Sequence, residues 1–284
     1  MYKTIVVHVD GGPSQASRLQ AAALLANAHD AHLIGAAPTG ISWLDLSLLS
    51  GSMALPLPLD DFRGLRDAAA QQLARFRDDA ARLGVASVEG RVVDDAPDYG
   101  LLMQARYADL VVLSQNPAAA AAVGAGLPAL PARGLPEQVT LRGGRPVLVV
   151  PDAYAGEIIP GTVVAGWDGS LPALRALTAA LPLLVRAGRV KLLLVNPDET
   201  LAAHGDEPGA DMALYLARHG VRVDVVVERT RASAGHALAA LAMDSNAGLL
   251  VIGAFGHSRY REWVLGGVTR ELLGSTPVPL LLAH

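Results

Sequence analysis

The chain carries the sequence TIVVHVDGGPS at Thr4–Ser14 and repeats the pattern as TVVAGWDGS at Thr162–Ser170. Each copy is a short apolar run that ends in Asp-Gly and leads into a stretch rich in Ala and Leu. Continuous apolar runs of this length are typical of strands buried on both faces of a parallel sheet, and Ala and Leu favour helices. The repeat therefore predicts that each half of the chain begins with a strand, a turn and a helix.

The segments after each copy follow the same order in both halves. Strands and helices that alternate in this way indicate right-handed β-α-β units and a parallel sheet. The predicted segments are Ser14–His29, Ala31–Ala37, Ser87–Val93, Asp98–Tyr107, Ala108–Leu113 and Pro146–Val150 in the first half, and Leu171–Ala187, Val190–Val195, Val221–Val227, Ser233–Asp244, Ala247–Ile252 and Pro279–Leu282 in the second. We predict an α/β protein of two tandem domains, residues 1–150 and 160–284, joined by the linker Pro151–Pro160.

The composition limits the function. The 284 residues are 51% hydrophobic and 18% charged, the net charge is −4, and there is no Cys. Neither half has the basic excess of a nucleic-acid binder, and a chain without Cys has no disulfide, thiolate metal site or Cys nucleophile. No secretory signal and no apolar segment of about 20 residues is evident. We therefore expect a cytoplasmic protein with no nucleic-acid or membrane partner.

The second half carries a glycine-rich loop between its fourth strand and its last helix, and the loop reads GAFGHSRYREWVLGGVT over Gly253–Thr269. Gly253 and Gly256 lack a Cβ, so the backbone can turn there with positive φ and approach a ligand closely. Gly266 and Gly267 lie where the next helix begins, and free N–H groups at a helix start bind anions. The alternative is that the glycines only mark two turns.

Cationic side chains accompany this loop, and a hydroxyl lies in the first turn of the helix. They are His257, Arg259, Arg261, Arg270 and Thr269. Positive charge beside free N–H groups favours a phosphate-bearing ligand. The alternative is that the arginines form a solvated face.

Asp168 follows the first strand of the second half. In an open parallel sheet, ligands bind beyond the carboxyl ends of the strands where the strand order reverses. If the first and fourth strands are neighbours there, Asp168 lies opposite Gly253, and its carboxylate can accept hydrogen bonds from ribose hydroxyls. The alternative is that Asp168-Gly169-Ser170 is only a turn followed by a helix cap. Together, the loop and the carboxylate predict a nucleotide site.

The spacing Gly253-x2-Gly256-x9-Gly266, followed by Gly267-Val268-Thr269, resembles the ATP-binding signature of the universal stress protein family. The resemblance covers essentially the whole chain, as two tandem domains. It implies an adenine nucleotide alpha hydrolase-like fold with five parallel strands per domain in the order 3-2-1-4-5. It also implies that ATP, with or without Mg²⁺, binds between the ends of strands one and four.

The resemblance assigns roles to individual residues of the second half. The glycines of the loop, with Val268 and Thr269, would hold the phosphates, Trp167 and Asp168 would flank the ribose, and Val195 would line the adenine. The predicted cofactor-binding residues are Trp167, Asp168, Val195, Gly253, Gly256, His257, Gly266, Gly267, Val268 and Thr269.

The sequence departs from the family pattern in both halves. In the second half, Gly267 stands where the family has Ser or Thr, and Trp167 is bulkier than the usual small residue. In the first half Asp10 is kept, but Ser114-Gln-Asn-Pro117 stands where the family has Gly-x-x-Gly. Pro117 has no backbone N–H to donate. We therefore predict one ATP per chain, bound by the second half.

The last apolar run of each half predicts how the halves associate. Pro146–Val150 and Val278–Leu282 are strands with an uncovered edge in this prediction, and such edges invite pairing. The resemblance implies that these strands associate in the dimers of the family. We predict a pseudo-twofold pair of domains within one chain, with a homodimer as a further step of association.

The sequence offers little support for catalysis. Its only lysines, Lys3 and Lys191, do not follow a glycine-rich loop, so the chain is not a P-loop NTPase. No GxSxG motif or HExxH-type spacing is present, and we predict neither catalytic residues nor a metal site. The favoured function is a nucleotide-binding stress-response or signalling module. The alternatives are a slow ATPase or phosphotransferase that uses the same loop, and a purely structural interaction protein with degenerate sites.

Replacement of Gly256 by Val tests the loop. The β-branched side chain disfavours positive φ and fills space beside the phosphates, so we expect ATP binding to be lost while the fold is kept. Titration calorimetry measures the affinity and circular dichroism checks the fold. Unchanged ATP affinity would show that this loop is not the site.

Overall fold

The computed structural model describes residues 1–52, 59–115, 134–152, 154–156, 159, 161–200, 207–255 and 267–284. Strands and α-helices alternate along these residues, and one short 3-10 helix lies at Pro197–Thr200. The strands are β1 Thr4–His8, β2 His32–Pro38, β3 Val88–Val93, β4 Leu110–Ser114, β5 Val147–Val150, β6 Thr162–Gly166, β7 Arg189–Val195, β8 Val223–Glu228, β9 Ala247–Gly253 and β10 Leu280–Ala283. The helices are α1 Gln15–His29, α2 Trp43–Ser52, α3 Leu59–Arg82, α4 Pro97–Ala105, α5 Leu135–Gly143, α6 Leu171–Leu184, α7 Ala210–Arg218, α8 Ala234–Asp244 and α9 Gly267–Gly274.

The strands form one sheet in the order β3-β2-β1-β4-β5-β10-β9-β6-β7-β8. Within each half the neighbours are parallel and follow the predicted order 3-2-1-4-5. The last strands of the halves, β5 and β10, pair antiparallel, with Leu281 opposite Leu148. The predicted association of these two strands is confirmed. Because they pair, the two five-stranded sheets merge into one continuous, mixed sheet.

Helices cover both faces of the sheet, which explains the apolar runs in the sequence. One core contains residues of α1, α3, α6 and α7, and the other contains residues of α4, α5, α8 and α9. Each core includes residues of both halves. The central strands have side chains in both cores, and β5 and β10 are buried along their whole length. A strand buried on both faces needs an apolar residue at every position rather than at every second one.

The segment prediction leaves out α3, although its sequence shows helical spacing. Its buried side chains recur at intervals of three, four or seven residues and lie on one helical face. They are Phe62, Ala69, Leu73, Phe76 and Ala80. None of the helices within the described residues is long and apolar enough to span a bilayer.

The linker between the halves is attached to the body of the protein. The Oγ of Ser14 donates to Asp152 Oδ1 at 2.7 Å, and the Oγ of Ser17 donates to the Asp152 carbonyl at 2.8 Å. Ile159 is only 5% exposed and belongs to the core that contains α1 and α6. The halves are also joined directly, because the Tyr2 hydroxyl donates to the Ala179 carbonyl at 2.9 Å. The described part of the linker is therefore packed rather than a free tether.

His29, the last residue of α1, is a buried histidine. It is 2% exposed, and its ring centroid lies 5.2 Å from that of Tyr2. Among the described residues, neither of its ring nitrogens has a hydrogen-bond partner. Burial lowers the pKa of His29 to about 4, and the positive charges of Arg186, the amino terminus and Lys3 act in the same direction. The ring is therefore neutral in the folded protein at neutral pH.

We expect His29 to make the fold less stable in acid. Because the unfolded histidine binds a proton below about pH 6.5 and the folded one only near pH 4, the free energy of unfolding falls as pH falls through this window. The His29→Leu variant should therefore lose about 2 kcal/mol less than wild type between about pH 7.5 and about pH 5. Urea unfolding at the two pH values measures the difference.

The matched control is His236→Leu, which replaces an exposed histidine at the start of α8. It should keep the pH dependence of the wild type. An equal loss of stability in wild type and His29→Leu would contradict the assignment of a buried neutral ring to His29.

Candidate functional site

The carboxyl ends of β6 and β9 form the candidate site. From β6 the chain continues to β7 on one side and later returns through β9 on the other, so β6 lies between them. The parallel pairs Val163↔Leu249 and Ala165↔Val251 bring β6 and β9 to the same edge of the sheet. The predicted neighbourhood of the first and fourth strands of the second half is confirmed. Such a reversal of strand order is where open α/β sheets bind ligands.

A tight turn holds Asp168 at this edge. Its Oδ1 accepts a hydrogen bond from the Ser170 N–H at 3.0 Å, and the residue between them, Gly169, has φ +75°. Ser170 has extended backbone angles and caps α6, since its Oγ accepts from the Ala173 N–H at 3.2 Å. The turn-and-cap interpretation of these residues is therefore correct. It also explains how a half-buried carboxylate is kept in place at the end of β6.

The predicted neighbours of a ribose and an adenine lie on opposite faces of the sheet. Trp167 donates its backbone N–H to the Leu193 carbonyl at 2.9 Å, and its side chain packs on the core that contains α6. Val195 ends β7 and packs on the other core, as do Phe255 and Val268. The structure therefore brings Val195 and Val268 to one side of the sheet and Trp167 to the other.

Gly253 has a different role from the one expected. Its φ lies outside the left-handed region, so the positive φ that a glycine allows is not adopted there. A Cβ on Gly253 would lie 2.3 Å from the Ala173 nitrogen and 2.6 Å from the Pro172 carbonyl carbon. Glycine is needed because the first turn of α6 packs directly on the end of β9. The positive φ belongs instead to Phe255, at +66°.

The helix α9 begins at Gly267, where the sequence predicts a helix start. Gly267 is exposed, and a Cβ added to it would meet no described atom within 4 Å. Thr269, in the first turn, is 2% exposed, and its Oγ1 accepts a hydrogen bond from the Phe255 N–H at 3.3 Å. The threonine hydroxyl therefore ties the end of β9 to the start of α9. The first N–H groups of a helix have no partner within the helix and can bind an anion.

Three predicted site residues, Gly256, His257 and Gly266, lie outside the described residues. Of the other predicted residues, Trp167, Asp168, Val195 and Gly253 lie at or next to the carboxyl ends of β6, β7 and β9, and Gly267, Val268 and Thr269 form the first turn of α9. The described part of the site therefore has a carboxylate on the β6 side and a helix start with a buried hydroxyl on the β9 side.

The equivalent edge of the first half holds an ion pair that the sequence analysis does not assign. Arg18 of α1 is 1% exposed; its Nη2 lies 2.7 Å from Asp10 Oδ1, and its Nη1 donates to Ser114 Oγ at 2.5 Å. Asp10 Oδ1 also accepts from the Gly12 N–H at 3.0 Å. The signal in the sequence is an arginine in the first turn of a helix rich in Ala and Leu.

Two pKa shifts accompany this ion pair. Burial acts to raise the pKa of the Asp10 carboxyl, but the Arg18 charge and the hydrogen bonds to the carboxylate outweigh burial and lower it. Burial and the charge of Arg18 lower the pKa of His8 to about 4, against a smaller effect of Asp10. His8 Nδ1 lies 3.7 Å from Asp10 Oδ2. At neutral pH the cluster therefore holds one carboxylate, one guanidinium and one neutral imidazole.

The structural role of Gly253 predicts a contrast with Gly267. In Gly253→Ala the added methyl group meets the α6 backbone, which cannot yield as a side chain can, so we expect a loss of about 1–3 kcal/mol in the free energy of unfolding. Gly267→Ala meets no described atom, and its stability should stay within about 0.5 kcal/mol of wild type. Urea unfolding compares the two variants. Equal stabilities would show that α6 does not need the glycine.

The chain was compared with protein-family models, curated proteins and solved structures. A sequence model of the universal stress protein family matches residues 161–284. A search of curated proteins finds no match. A universal stress protein in complex with cAMP is 27% identical over 52% of this chain and 97% of that chain, with a TM-score of 0.35.

Two solved structures align with the whole chain. A universal stress protein from Archaeoglobus fulgidus DSM 4304 is 15% identical, covers 99% of this chain and 97% of its own, and has a TM-score of 0.69. A functionally unknown protein from Pseudomonas aeruginosa PAO1 is 15% identical over 99% of this chain and 92% of its own, with a TM-score of 0.58. At this identity they show the fold. The second half of the chain, residues 161–284, thus matches the model of the universal stress protein family, and the chain as a whole has the fold of a solved universal stress protein.

Proposed function

We propose that this protein binds one ATP per chain at the carboxyl edge of β6 and β9 and acts in the cytoplasm as a nucleotide-binding stress-response or signalling module. The observation that carries the proposal is the juxtaposition of Asp168 and the start of α9 at a switch point of the sheet. A carboxylate for hydroxyl groups and a helix start for an anion are the two parts of a nucleotide site.

The β6 side of the site would bind the ribose. The turn at Gly169 and the hydrogen bond from Ser170 hold the Asp168 carboxylate before a ligand arrives. A carboxylate accepts hydrogen bonds from two neighbouring hydroxyls, and a fixed carboxylate loses little side-chain entropy on binding. Val195 and Val268 lie on one face of the sheet beside this edge and offer apolar contacts for an adenine.

The β9 side of the site would bind the phosphates. No described atom lies within 4 Å of a Cβ built on Gly267, and we propose that a phosphate approaches the first N–H groups of α9 there. Arg270 is exposed on the same helix, and the sequence places His257, Arg259 and Arg261 in the preceding loop. Hydrogen bonds between charged groups of this kind contribute about 1.5–3 kcal/mol each.

The chemistry of the described site favours binding over turnover. Phosphoryl transfer in nucleotide hydrolases uses a lysine at the phosphates, acidic ligands for Mg²⁺ and a residue that orients the nucleophile. Within the described residues, no group of three or more His, Asp or Glu side chains could hold a metal ion. Asp168 is the carboxylate of the described site, and its geometry suits a sugar. Slow ATP hydrolysis or phosphotransfer at the same loop is the alternative.

The Asp168→Ala variant tests the ribose contact. Loss of a charged hydrogen-bond acceptor should weaken ATP binding about 10–100-fold, measured by titration calorimetry on the whole chain. The control Asp211→Ala removes an exposed carboxylate on α7 and should bind ATP like the wild type. Equal affinities of Asp168→Ala and wild type would exclude Asp168 from the site.

A second experiment separates a binding protein from a slow enzyme. Mass spectrometry of the protein purified under native conditions identifies a bound adenine nucleotide, and an ADP-release assay with Mg²⁺ measures turnover. Bound ATP without steady release of ADP supports the proposal. Steady release of ADP that stops in Asp168→Ala would favour the slow ATPase.

A further inference from the structure

The two halves offer a direct comparison of the same sheet edge. Asp10 follows β1 as Asp168 follows β6, and Ser114 ends β4 as Gly253 ends β9. In the first half, too, the first and fourth strands are parallel neighbours, with Val7 opposite Val112. The first half therefore has its own switch point, with the same strand-one carboxylate beside it.

In the first half a side chain of the protein connects the two strand ends. The Arg18 guanidinium contacts Asp10 at 2.7 Å on the β1 side and Ser114 at 2.5 Å on the β4 side. The side chain is 1% exposed, so it lies inside the edge rather than over it. It spans the gap that a nucleotide spans under the proposed function of the second half.

We propose that Arg18 occupies the ligand position of the first half, so that this half is permanently closed to nucleotides and the chain has a single nucleotide site. The claim that the first half is closed to nucleotides rests on the proposed function. The claim that Arg18 is an internal occupant of the β1–β4 edge is independent of the proposed function.

The electrostatics of the edge explain why a ligand cannot displace this occupant. A ribose hydroxyl could reach Asp10 only if Arg18 withdrew, and withdrawal would separate the buried guanidinium from the largely buried carboxylate that is its charged partner. Breaking one side of a buried ion pair is far more costly than an uncharged hydrogen bond can offset. The Gly12 N–H, which also donates to Asp10, holds the carboxylate in place for Arg18.

The sequence of the second half has no arginine at the position that corresponds to Arg18. The residue four positions after the capping Ser170 is Leu174, which is 38% exposed, whereas the residue four positions after Ser14 is Arg18. The end of β9 is Gly253, against which the first turn of α6 packs by its backbone. At the end of β4, the Ser114 hydroxyl accepts a hydrogen bond from Arg18. The corresponding residue at the end of β9 is Gly253, which contacts the α6 backbone instead. The Arg18 side chain thus spans the β1–β4 edge, whereas the corresponding position of the second half holds a leucine.

Chemical rescue of Arg18→Ala tests whether the edge is a guanidinium site. The variant should lose on the order of 10 °C in thermal midpoint, because the largely buried Asp10 carboxylate loses its cationic partner. Millimolar ethylguanidinium should raise the midpoint of Arg18→Ala again but not that of wild type. Ethylurea, which is uncharged and similar in shape, is the control and should have no effect. Absence of any loss, or equal effects of the two compounds, would overturn the assignment.

If Arg18→Ala does not fold, charge-balanced variants replace it. Arg18→Met and Asp10→Asn should each lower the midpoint, and the double variant should lose less than the sum of the two, because no charge remains buried alone. Additive losses would overturn the assignment.

Calorimetry on the whole chain tests the closure. Wild type and Asp10→Asn should bind one ATP with affinities equal within about twofold, since the first half contributes nothing. Two equivalents in wild type that fall to one in Asp10→Asn would overturn the proposal. If no ATP binds to either protein, the proposed function fails, and the rescue experiment still decides the role of Arg18.

Discussion

The antiparallel pairing of β5 with β10 determines how the rest of the molecule is arranged. It joins two edges that would otherwise expose fully apolar strands, and it makes each hydrophobic core continuous across both halves. Edges of this kind are prone to pair with other chains, so pairing them internally protects the sheet. Because the pairing is antiparallel, the carboxyl ends of the strands in the two halves point in opposite directions. The two switch points therefore lie at opposite ends of one sheet.

The two switch points show different solutions to one physical problem. A central pair of parallel strands ends in a crevice where buried polar groups need partners. In the first half Arg18 supplies the charged partner for Asp10. In the second half a turn of its own holds Asp168, and no described atom lies within 4 Å of a Cβ built on Gly267. The two halves thus hold the same strand-one carboxylate in different ways.

Helix α6 connects the candidate site to the body of the protein. Its first turn packs on Gly253, its capping residue follows Asp168, and further along it the Ala179 carbonyl accepts the Tyr2 hydroxyl of the first half. The position of the Asp168 turn is therefore fixed from both sides of the interface between the halves. A site that is organised before its ligand arrives loses less entropy on binding.

The sequence by itself determined the alternation of strands and helices, the duplication and the residues at the strand ends. These are local signals: an apolar run followed by Asp-Gly reports a buried strand and a turn wherever it occurs, and Gly267 lies at a helix start as expected. The amphipathic spacing of α3 was equally readable but unassigned. Local patterns also explain why the order of segments could be predicted in both halves.

Only the tertiary structure decided what the individual side chains at the strand ends do. The glycine at position 253 indicated a close approach, but whether to a ligand or to α6 depends on a helix that begins far earlier in the sequence. Arg18 lies within the predicted segment Ser14–His29, and that prediction gives no partner for its side chain. Its hydrogen bond to Ser114 joins positions 96 residues apart. Two separate repeats predict two sheets, whereas the pairing of β5 with β10 joins them into one continuous sheet. Such contacts depend on the free energy of burial and charge in the assembled fold, which no local pattern contains.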